Sequence, residues 1–209
     1  MDLETVSPKA EANKRGRSRT KRRLIVSGAA KVFLADGFGG ATMDAVALAA
    51  GVSKMTVYRY FRSKEELFAG VIGDQCDRIV DDEVSASMAE LPPKAALELF
   101  GRRMIEIVFA PETLKLHRIV IAEAHRFPDL SKLFYESGPQ ANVELLARYF
   151  RAHRRDPGLR VGDPRRSAEE FMSILRGYEH MRALLGYEDG LTPAMVTACV
   201  ERAMKHVLT

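Results

Sequence analysis

The chain has 209 residues, a formal net charge of +4 and 46% hydrophobic residues, which is enough apolar content for a substantial buried core. No apolar run reaches the roughly 18 to 20 residues of a membrane-spanning helix, and the basic N-terminus lacks the apolar segment of a secretory signal. The only two cysteines, Cys76 and Cys199, lie far apart in the sequence. These features argue against a membrane protein or a disulfide-stabilised secreted protein, and they predict a protein of the reducing cytoplasm.

Basic residues are concentrated at the N-terminal end. Residues 9–64 contain 13 Lys or Arg against 3 Asp or Glu, a net +10, whereas residues 65–209 sum to −4. Such a concentration of positive charge at one end of the chain is expected of a module that neutralises phosphates. The segment KRGRSRTKRR at 14–23 predicts a basic arm, disordered over residues 1–19. It is either a solvated leader or an arm that orders along a DNA backbone or minor groove.

The first predicted helix covers Thr20 to Asp36. Its apolar residues share one face and are followed by Gly37 and Phe38. The residues on that face are Ile25, Ala29, Val32 and Phe33. This pattern predicts an amphipathic helix that packs on the elements after it.

Residues 42–64 predict two short helices joined by a glycine turn. Behind the N-capping hydroxyl of Thr42, apolar residues recur at the spacing of one helix face: Met43, Val46, Ala47 and Ala50. Gly51 stands where a helix end favours a positive φ, and Ser53 then caps a second helix that runs to about Phe61. The arrangement is a helix-turn-helix, which places its second helix in a major groove.

The outer face of the second helix carries side chains that can reach bases, phosphate or sugar: Lys54, Met55, Thr56, Tyr58 and Tyr60. Lys54 can donate to guanine, and Met55 or the Thr56 methyl can contact a thymine methyl. Lys64 begins a third helix capped by Ser63, a place suited to a phosphate. A solvated outer face on an ordinary three-helix core is the competing interpretation of the same residues.

The segment 41–67, ATMDAVALAAGVSKMTVYRYFRSKEEL, resembles the DNA-binding domain of TetR-family repressors along its whole length. The helix before it has a similar ending in Ala29, Phe33, Gly37 and Phe38, so the resemblance covers about residues 20–72. It implies that one group of residues lies at or near the DNA backbone: Thr42, Thr56, Tyr58, Tyr60 and Lys64. It also implies that Ser53, Lys54 and Met55 approach bases. Met55 departs from the glycine, proline or alanine common there, which affects base preference.

Beyond Lys64 almost all of the sequence predicts helix, and no strand is predicted. One long helix is expected from Glu65 to about Ala89, where Leu91-Pro92-Pro93 follows. Further helices are expected at about 94–109, 112–125 and 129–154, the last broken near 137–139, with two more beginning at Asp163-Pro164 and Thr192-Pro193. The predicted fold is all-α, with about nine to ten helices. It comprises the arm at 1–19, a three-helix DNA-binding domain at 20–66 and a ligand-binding and dimerisation domain at 67–209.

The last two helices, near 164–186 and 193–208, carry broad apolar stripes. In a monomer these stripes are core. The family resemblance instead implies a four-helix bundle between two copies, which sets two recognition helices about one DNA turn apart and calls for a palindromic operator.

A candidate ligand site is centred on Glu123. Leu116, Val120, Glu123 and Phe127 are spaced at 0, 4, 7 and 11, which puts a carboxylate on an apolar helix face. Its partner is either an internal Arg176 or His180, or a ligand in a pocket with other candidate residues: Met104, His117, Phe127, Tyr135, Arg176 and Tyr178. The segment 117–186 also resembles the ligand domain of AefR-like or AcrR-like members of the family.

Catalysis has no support in the sequence. The five histidines form no zinc-binding pattern, no nucleophile is matched with a base, and no glycine-rich phosphate loop is present. We therefore predict no enzymatic activity and no cofactor. The expected function is a homodimeric regulator that binds a double-stranded DNA operator, most simply a repressor released by a small-molecule inducer, without a membrane partner. A co-repressor or activator stays open, as does a helical ligand-binding protein or enzyme whose basic end contacts polyanions non-specifically.

Overall fold

A computed structural model describes residues 8–187 and 191–209, and within these ranges the side chains of 8–17, 82 and 83 are not described. The fold is all-α, as predicted, with eleven α-helices in the described residues. They are α1 Pro8–Gly40, α2 Met43–Ala50, α3 Lys54–Tyr60, α4 Lys64–Asp77, α5 Asp82–Glu90, α6 Pro93–Val108, α7 Pro111–Glu123, α8 Pro128–Tyr135, α9 Ala141–His153, α10 Pro164–Leu184 and α11 Pro193–Val207, with a π-helical turn at Glu136–Gln140 between α8 and α9. None of these helices is both long and apolar enough to cross a membrane.

The chain divides into two compact units, the first ending at Val71 and the second covering Ile72–Thr209. In the first unit, Phe33, Phe38 and Phe68 form a fully buried aromatic cluster with ring centroids 5.0 to 5.8 Å apart. Helix α1 approaches α2 so closely that a Cβ on Gly28 would lie 2.8 Å from the Ala50 nitrogen. This unit is therefore held by ring packing and by one glycine that lets two backbones meet.

The core of the second unit is built mainly by α6, α9, α10 and α11. Phe100, Phe150 and Phe171 are fully buried at its centre. The ring centroid of Phe171 lies 6.3 Å from that of Phe100 and 6.5 Å from that of Phe150. Asp163 and Thr192 cap α10 and α11, each followed by a proline at the first helical position. These two helix starts confirm the sequence prediction.

The prediction of one long helix over 65–89 is wrong, because the chain forms two helices there, α4 and α5. Helix α4 ends at Asp77, the next residues turn to bury Ile79, and the Asp81 carboxylate accepts a hydrogen bond from the Val84 N–H at 2.9 Å. An aspartate whose side chain caps a new helix start favours a break over continued helix. The division of 129–154 into α8 and α9 agrees with the predicted break near 137–139, so the split of 65–89 is what adds one helix to the predicted count.

The N-terminal end also differs from its prediction. Helix α1 begins at Pro8, so residues 8–19 of the predicted arm are helical, while residues 1–7 lie outside the described residues. Proline is tolerated in the first helical turn, and the alanine, lysine and arginine that follow have high helix propensity. The first unit also extends to Val71, five residues past the predicted end of the DNA-binding domain.

Helix α10 changes direction at Gly177, whose φ of 54° and ψ of −160° lie in a region that only glycine adopts readily. Before this residue the apolar stripe is buried, with Phe171 and Leu175 fully inaccessible. After it the stripe is exposed, and Tyr178 is 86% and Leu185 77% accessible. The bend therefore separates a core-forming half of α10 from a half whose apolar face points to solvent.

Candidate nucleic-acid interface and internal cavity

The structure contains the predicted turn between α2 and α3, with the predicted caps at Thr42 and Ser53 and the predicted glycine at Gly51. The Thr42 hydroxyl accepts from the Ala45 N–H at 3.1 Å, and the Ser53 hydroxyl accepts from the Thr56 N–H at 3.2 Å. Gly51 has a φ of 64° and its N–H donates to the Leu48 carbonyl at 3.1 Å. Side-chain caps and one left-handed glycine thus fix the two helices at a tight turn.

Helix α3 is anchored by one residue and presents the others outward. Val57 is fully buried, whereas Met55 is 78% and Tyr58 42% accessible. Lys54 is exposed and Thr56 is half-buried, with its hydroxyl 2.9 Å from that of Ser53. The side chains proposed from sequence to face bases therefore lie on the accessible side of the helix.

Lys54 has a partner that the sequence analysis did not foresee. Its ammonium donates to the Asp44 carboxylate of α2 at 2.9 Å, and both side chains are more than half accessible. The hydrogen bond and the charge of Asp44 raise the pKa of Lys54. This pair has to open, or to be shared with a base, before Lys54 can donate to guanine.

Lys64 is bound into the first unit rather than free at the helix end. Its ammonium donates to the Ala41 carbonyl at 3.0 Å and to the Gly39 carbonyl at 3.4 Å, and it lies 4.6 Å from the centroid of the Phe38 ring. Gly39 lies in the last turn of α1 and Ala41 directly follows it, at a helix end where carbonyls lack helical partners. An ammonium has three donors, so one remains for a phosphate.

Tyr60 is likewise tied to another helix. Its hydroxyl lies 3.2 Å from that of Ser18 on α1. The part of α1 next to Ser18 is basic, because four residues are exposed there: Arg19, Lys21, Arg22 and Arg23. The candidate interface therefore includes α1 residues as well as the helix-turn-helix.

The second unit contains an internal cavity of about 40 Å³, lined by the C-terminal half of α4, by α6, α7, α8, α9 and α10, and by the π-turn. At about 10–15 Å³ for each water, it holds no more than a few water molecules. Most of its wall is apolar, from residues such as Ile72, Met104 and Phe134. No Asp or Glu of the described part of the chain lines it.

Three of the seven predicted ligand residues line this cavity: Met104, His117 and Arg176. The other four do not. Tyr178 and Tyr135 are 86% and 57% accessible, and Glu123 lies 3.9 Å from the Arg126 guanidinium instead of meeting Arg176 or His180. The predicted helix face assumed a continuous helix to Phe127, but α7 ends at Glu123 and Phe127 stands at the N-cap of α8.

Of the described residues that line the cavity, Arg176 is the one that carries a full charge at neutral pH. Burial, followed by the charges of His180 and Arg176, lowers the pKa of His117 to about 4. Burial and Arg176 lower the pKa of His180 to about 4, and burial raises the pKa of the Cys76 thiol to about 11. Both imidazoles and the thiol are thus neutral. Arg176 itself donates through Nε to the Met172 carbonyl at 3.3 Å and has no carboxylate partner in the part of the chain that the structure describes.

One polar group of the cavity wall was missed by the sequence analysis. The Thr113 hydroxyl is buried and lines the cavity, and it has no hydrogen-bond partner among the described residues. Nε2 of His180 is also buried without a hydrogen-bond partner among the described residues, but His180 does not line the cavity; its ring centroid lies 5.4 Å from that of His117. Buried polar groups are rarely left unpaired. Position along an amphipathic helix gave no signal for Thr113, because its role depends on neighbours from other helices.

Comparison with known proteins gives a consistent result for both units. Residues 25–71 match the family described as bacterial regulatory proteins, tetR family. Residues 95–209 match the AefR-like transcriptional repressor, C-terminal domain.

Similar individual proteins are also transcriptional regulators. The HTH-type transcriptional regulator BetI of Rhizobium meliloti is 31% identical over 132 residues, 63% of this chain and 65% of that protein, so the match spans just under two thirds of the relative. Among solved structures, the flavonoid-responsive regulator FrrA is 34% identical with a TM-score of 0.65, covering 89% of this chain and 94% of that one. A TetR-family transcriptional regulator from Mesorhizobium loti is 28% identical with a TM-score of 0.70, covering 91% and 94%.

Proposed function

The chain belongs to the TetR family of transcriptional regulators, and on that basis we propose that it is a homodimeric repressor released from a palindromic DNA operator by a small-molecule inducer. The observation that carries the proposal is the outward face of α3. Lys54, Met55 and Tyr58 are accessible there, on a helix anchored by buried Val57. A short helix with a polar, accessible face suits base contacts in a major groove.

Ligand control is supported by the course of α4. This helix begins at Lys64, which binds the end of α1, and its last residues include Gln75 and Cys76, which line the cavity. The cavity is smaller than a typical effector, so a bound molecule has to move its walls. In the proposed mechanism, that movement shifts α4 and reduces operator affinity, and operator binding reduces effector affinity by the same factor.

Dimerisation is supported by the exposed apolar residues in and just after the second half of α10. Tyr178, Met181, Leu185 and Tyr187 are between 56% and 86% accessible. Clustered exposed apolar side chains mark interaction surfaces. We propose that this surface, with α11, pairs with its copy about a two-fold axis, consistent with a palindromic operator.

A duplex-binding measurement tests the proposal. The wild-type protein is titrated by fluorescence anisotropy against a duplex from the DNA just upstream of its gene, and against a shuffled duplex of equal composition, at about 0.15 M salt. The variant Lys54→Ala/Tyr58→Ala removes two outward side chains of α3. The control Lys115→Ala removes an exposed lysine on α7, in the other unit.

The expected result is tight binding of the native duplex by the wild type and the control, with loss of the preference in the double variant while far-UV circular dichroism and dimer mass are unchanged. Equal affinity of the wild type for both duplexes would refute the proposal. It would favour a helical ligand-binding protein or enzyme with only non-specific polyanion contact.

A further inference from the structure

We infer that the effector is an apolar monoanion, an aromatic carboxylate or phenolate whose charged oxygen binds Arg176 and whose body fills the cavity beside Met104 and Phe134. The inference rests on the proposed regulatory function, since it names the chemical class of the effector. It begins from a mismatch: among the described residues, the cavity wall contains an arginine and no carboxylate.

The charge of Arg176 has no counter-charge on the described part of the protein. Among the described residues its one hydrogen bond goes to the Met172 carbonyl at 3.3 Å, and its other four N–H donors have no partner there. A half-buried guanidinium without a carboxylate is costly, and an anionic oxygen is its best complement. Because the neighbouring imidazoles are neutral at pH 7, the site holds one positive charge and suits a ligand with one negative charge.

The hydroxyl of Thr113 supplies a second polar contact. It is 4% accessible, lines the cavity and has no hydrogen-bond partner in the described structure. A ligand oxygen in the cavity would satisfy it. An arginine without a carboxylate partner and a hydroxyl without a hydrogen-bond partner, both on the wall of one apolar cavity in the described structure, are expected where a ligand completes the site.

The shape of the wall favours a flat ligand over a flexible chain. The rings of His117 and Phe134 meet edge to face, with centroids 5.1 Å apart, and Pro139 also lines the cavity. Aromatic ligands gain from edge and face contacts with such rings beyond the area that they bury. An aliphatic acid shares the anionic group, so the experiment includes one.

The test measures binding of three acids and their matched neutral amides to the intact protein at pH 7.5 by isothermal titration calorimetry. The pairs are benzoate and benzamide, cinnamate and cinnamamide, and octanoate and octanamide. We expect at least one aromatic acid to bind about tenfold or more tightly than its amide, the ratio expected for one charge-assisted hydrogen bond. If no acid is preferred over its amide, the inference is wrong; if only octanoate is preferred, the aromatic part is wrong.

Variants assign the effect to the cavity. Arg176→Gln should remove the preference for the acid, by weakening binding of the acid far more than binding of the amide, and Arg176→Lys should restore part of it. The control Arg126→Gln makes the same charge change at an exposed arginine of the same unit, and it should keep the preference. Thr113→Val should weaken binding of the acid and raise the melting temperature of the free protein. An unchanged acid preference in Arg176→Gln overturns the inference.

Operator binding separates this inference from the proposed function. The preferred acid should weaken binding of the upstream duplex by the wild type and not by Arg176→Gln. If the duplex is bound selectively but no acid is preferred, the effector class is wrong and the regulator stands. If an acid binds through Arg176 but the duplex is never selected, the cavity inference stands and the regulatory proposal fails.

Discussion

Lys64 is predicted to stabilise the first unit in addition to any contact with DNA. The hydrogen bond from its charged ammonium to the Ala41 carbonyl, at 3.0 Å and partly buried, is worth about 1.5–3 kcal/mol. The position over the Phe38 ring adds about 0.5–1 kcal/mol, and the longer bond to Gly39 adds little. Ordering a lysine side chain costs up to about 2 kcal/mol. We therefore expect Lys64→Met to destabilise the unit by about 1–2 kcal/mol.

Amide hydrogen exchange measured by mass spectrometry can locate this loss. Because about 1.4 kcal/mol corresponds to a tenfold change in an opening equilibrium, peptides from residues 20–71 should exchange about five- to thirtyfold faster in Lys64→Met. Peptides from α9 to α11 should be unchanged. Lys31→Met, an exposed lysine on α1, is the control and should exchange as the wild type does. Identical exchange in Lys64→Met and wild type would refute a structural role for Lys64.

Three further predictions follow from particular side chains. Gly177→Ala should lower the free energy of unfolding in urea by about 1–3 kcal/mol, because the backbone conformation of Gly177 is one that glycine alone adopts readily. The control Gly73→Ala, in a helix with open space around the residue, should raise that free energy by about 0.5–1 kcal/mol. Equal effects of the two changes would contradict the bend at Gly177. In the folded protein the pKa of His117 and of His180 is lowered to about 4. The contribution of each neutral imidazole to the free energy of unfolding is therefore complete above about pH 6.5 and falls by up to about 3 kcal/mol as the pH drops to 4. Changing both residues to Gln should flatten the dependence of stability on pH. Asp44→Asn releases the Lys54 ammonium from its ion pair and removes a negative charge that repels DNA, so the affinity for the duplex should rise. The slope of log affinity against log salt concentration should steepen by about 0.9. An unchanged slope would show that Lys54 does not contact DNA.

The helix-turn-helix was predictable because its signals are local. The caps Thr42 and Ser53 and the turn at Gly51 act within four residues of their own positions, and the structure places all three as the sequence indicated. The partners of these side chains were not predictable in the same way. Lys64 meets carbonyls more than twenty residues away, and no periodic pattern encodes such a contact.

The cavity shows the same limit more strongly. The prediction found Met104, His117 and Arg176, which lie on three different helices, from residue type and helix face. It placed Glu123 and Phe127 there as well, because it extended one helical period across the end of α7. A helix end moves every later residue off the predicted face. The unpaired hydroxyl of Thr113 could be recognised only once its neighbours were known.

The helices that form the cavity wall also carry the other surfaces used in the proposed function. Helix α7 lines the cavity with Thr113 and His117, and its Arg118 guanidinium donates to the Ala183 and Leu184 carbonyls at 2.6 and 2.7 Å, at the end of α10. Arg176 immediately precedes the bend of α10, beyond which the apolar face becomes exposed.

An effector shifts an equilibrium only by its difference in affinity between two states. A ligand that moves Arg176 or α7 acts on the proposed dimer surface through bonded neighbours, and one that displaces α4 acts on the helix that begins at Lys64. In the proposed mechanism, the size and charge of the effector therefore determine operator release, because a cavity of about 40 Å³ admits an aromatic acid only if its wall moves.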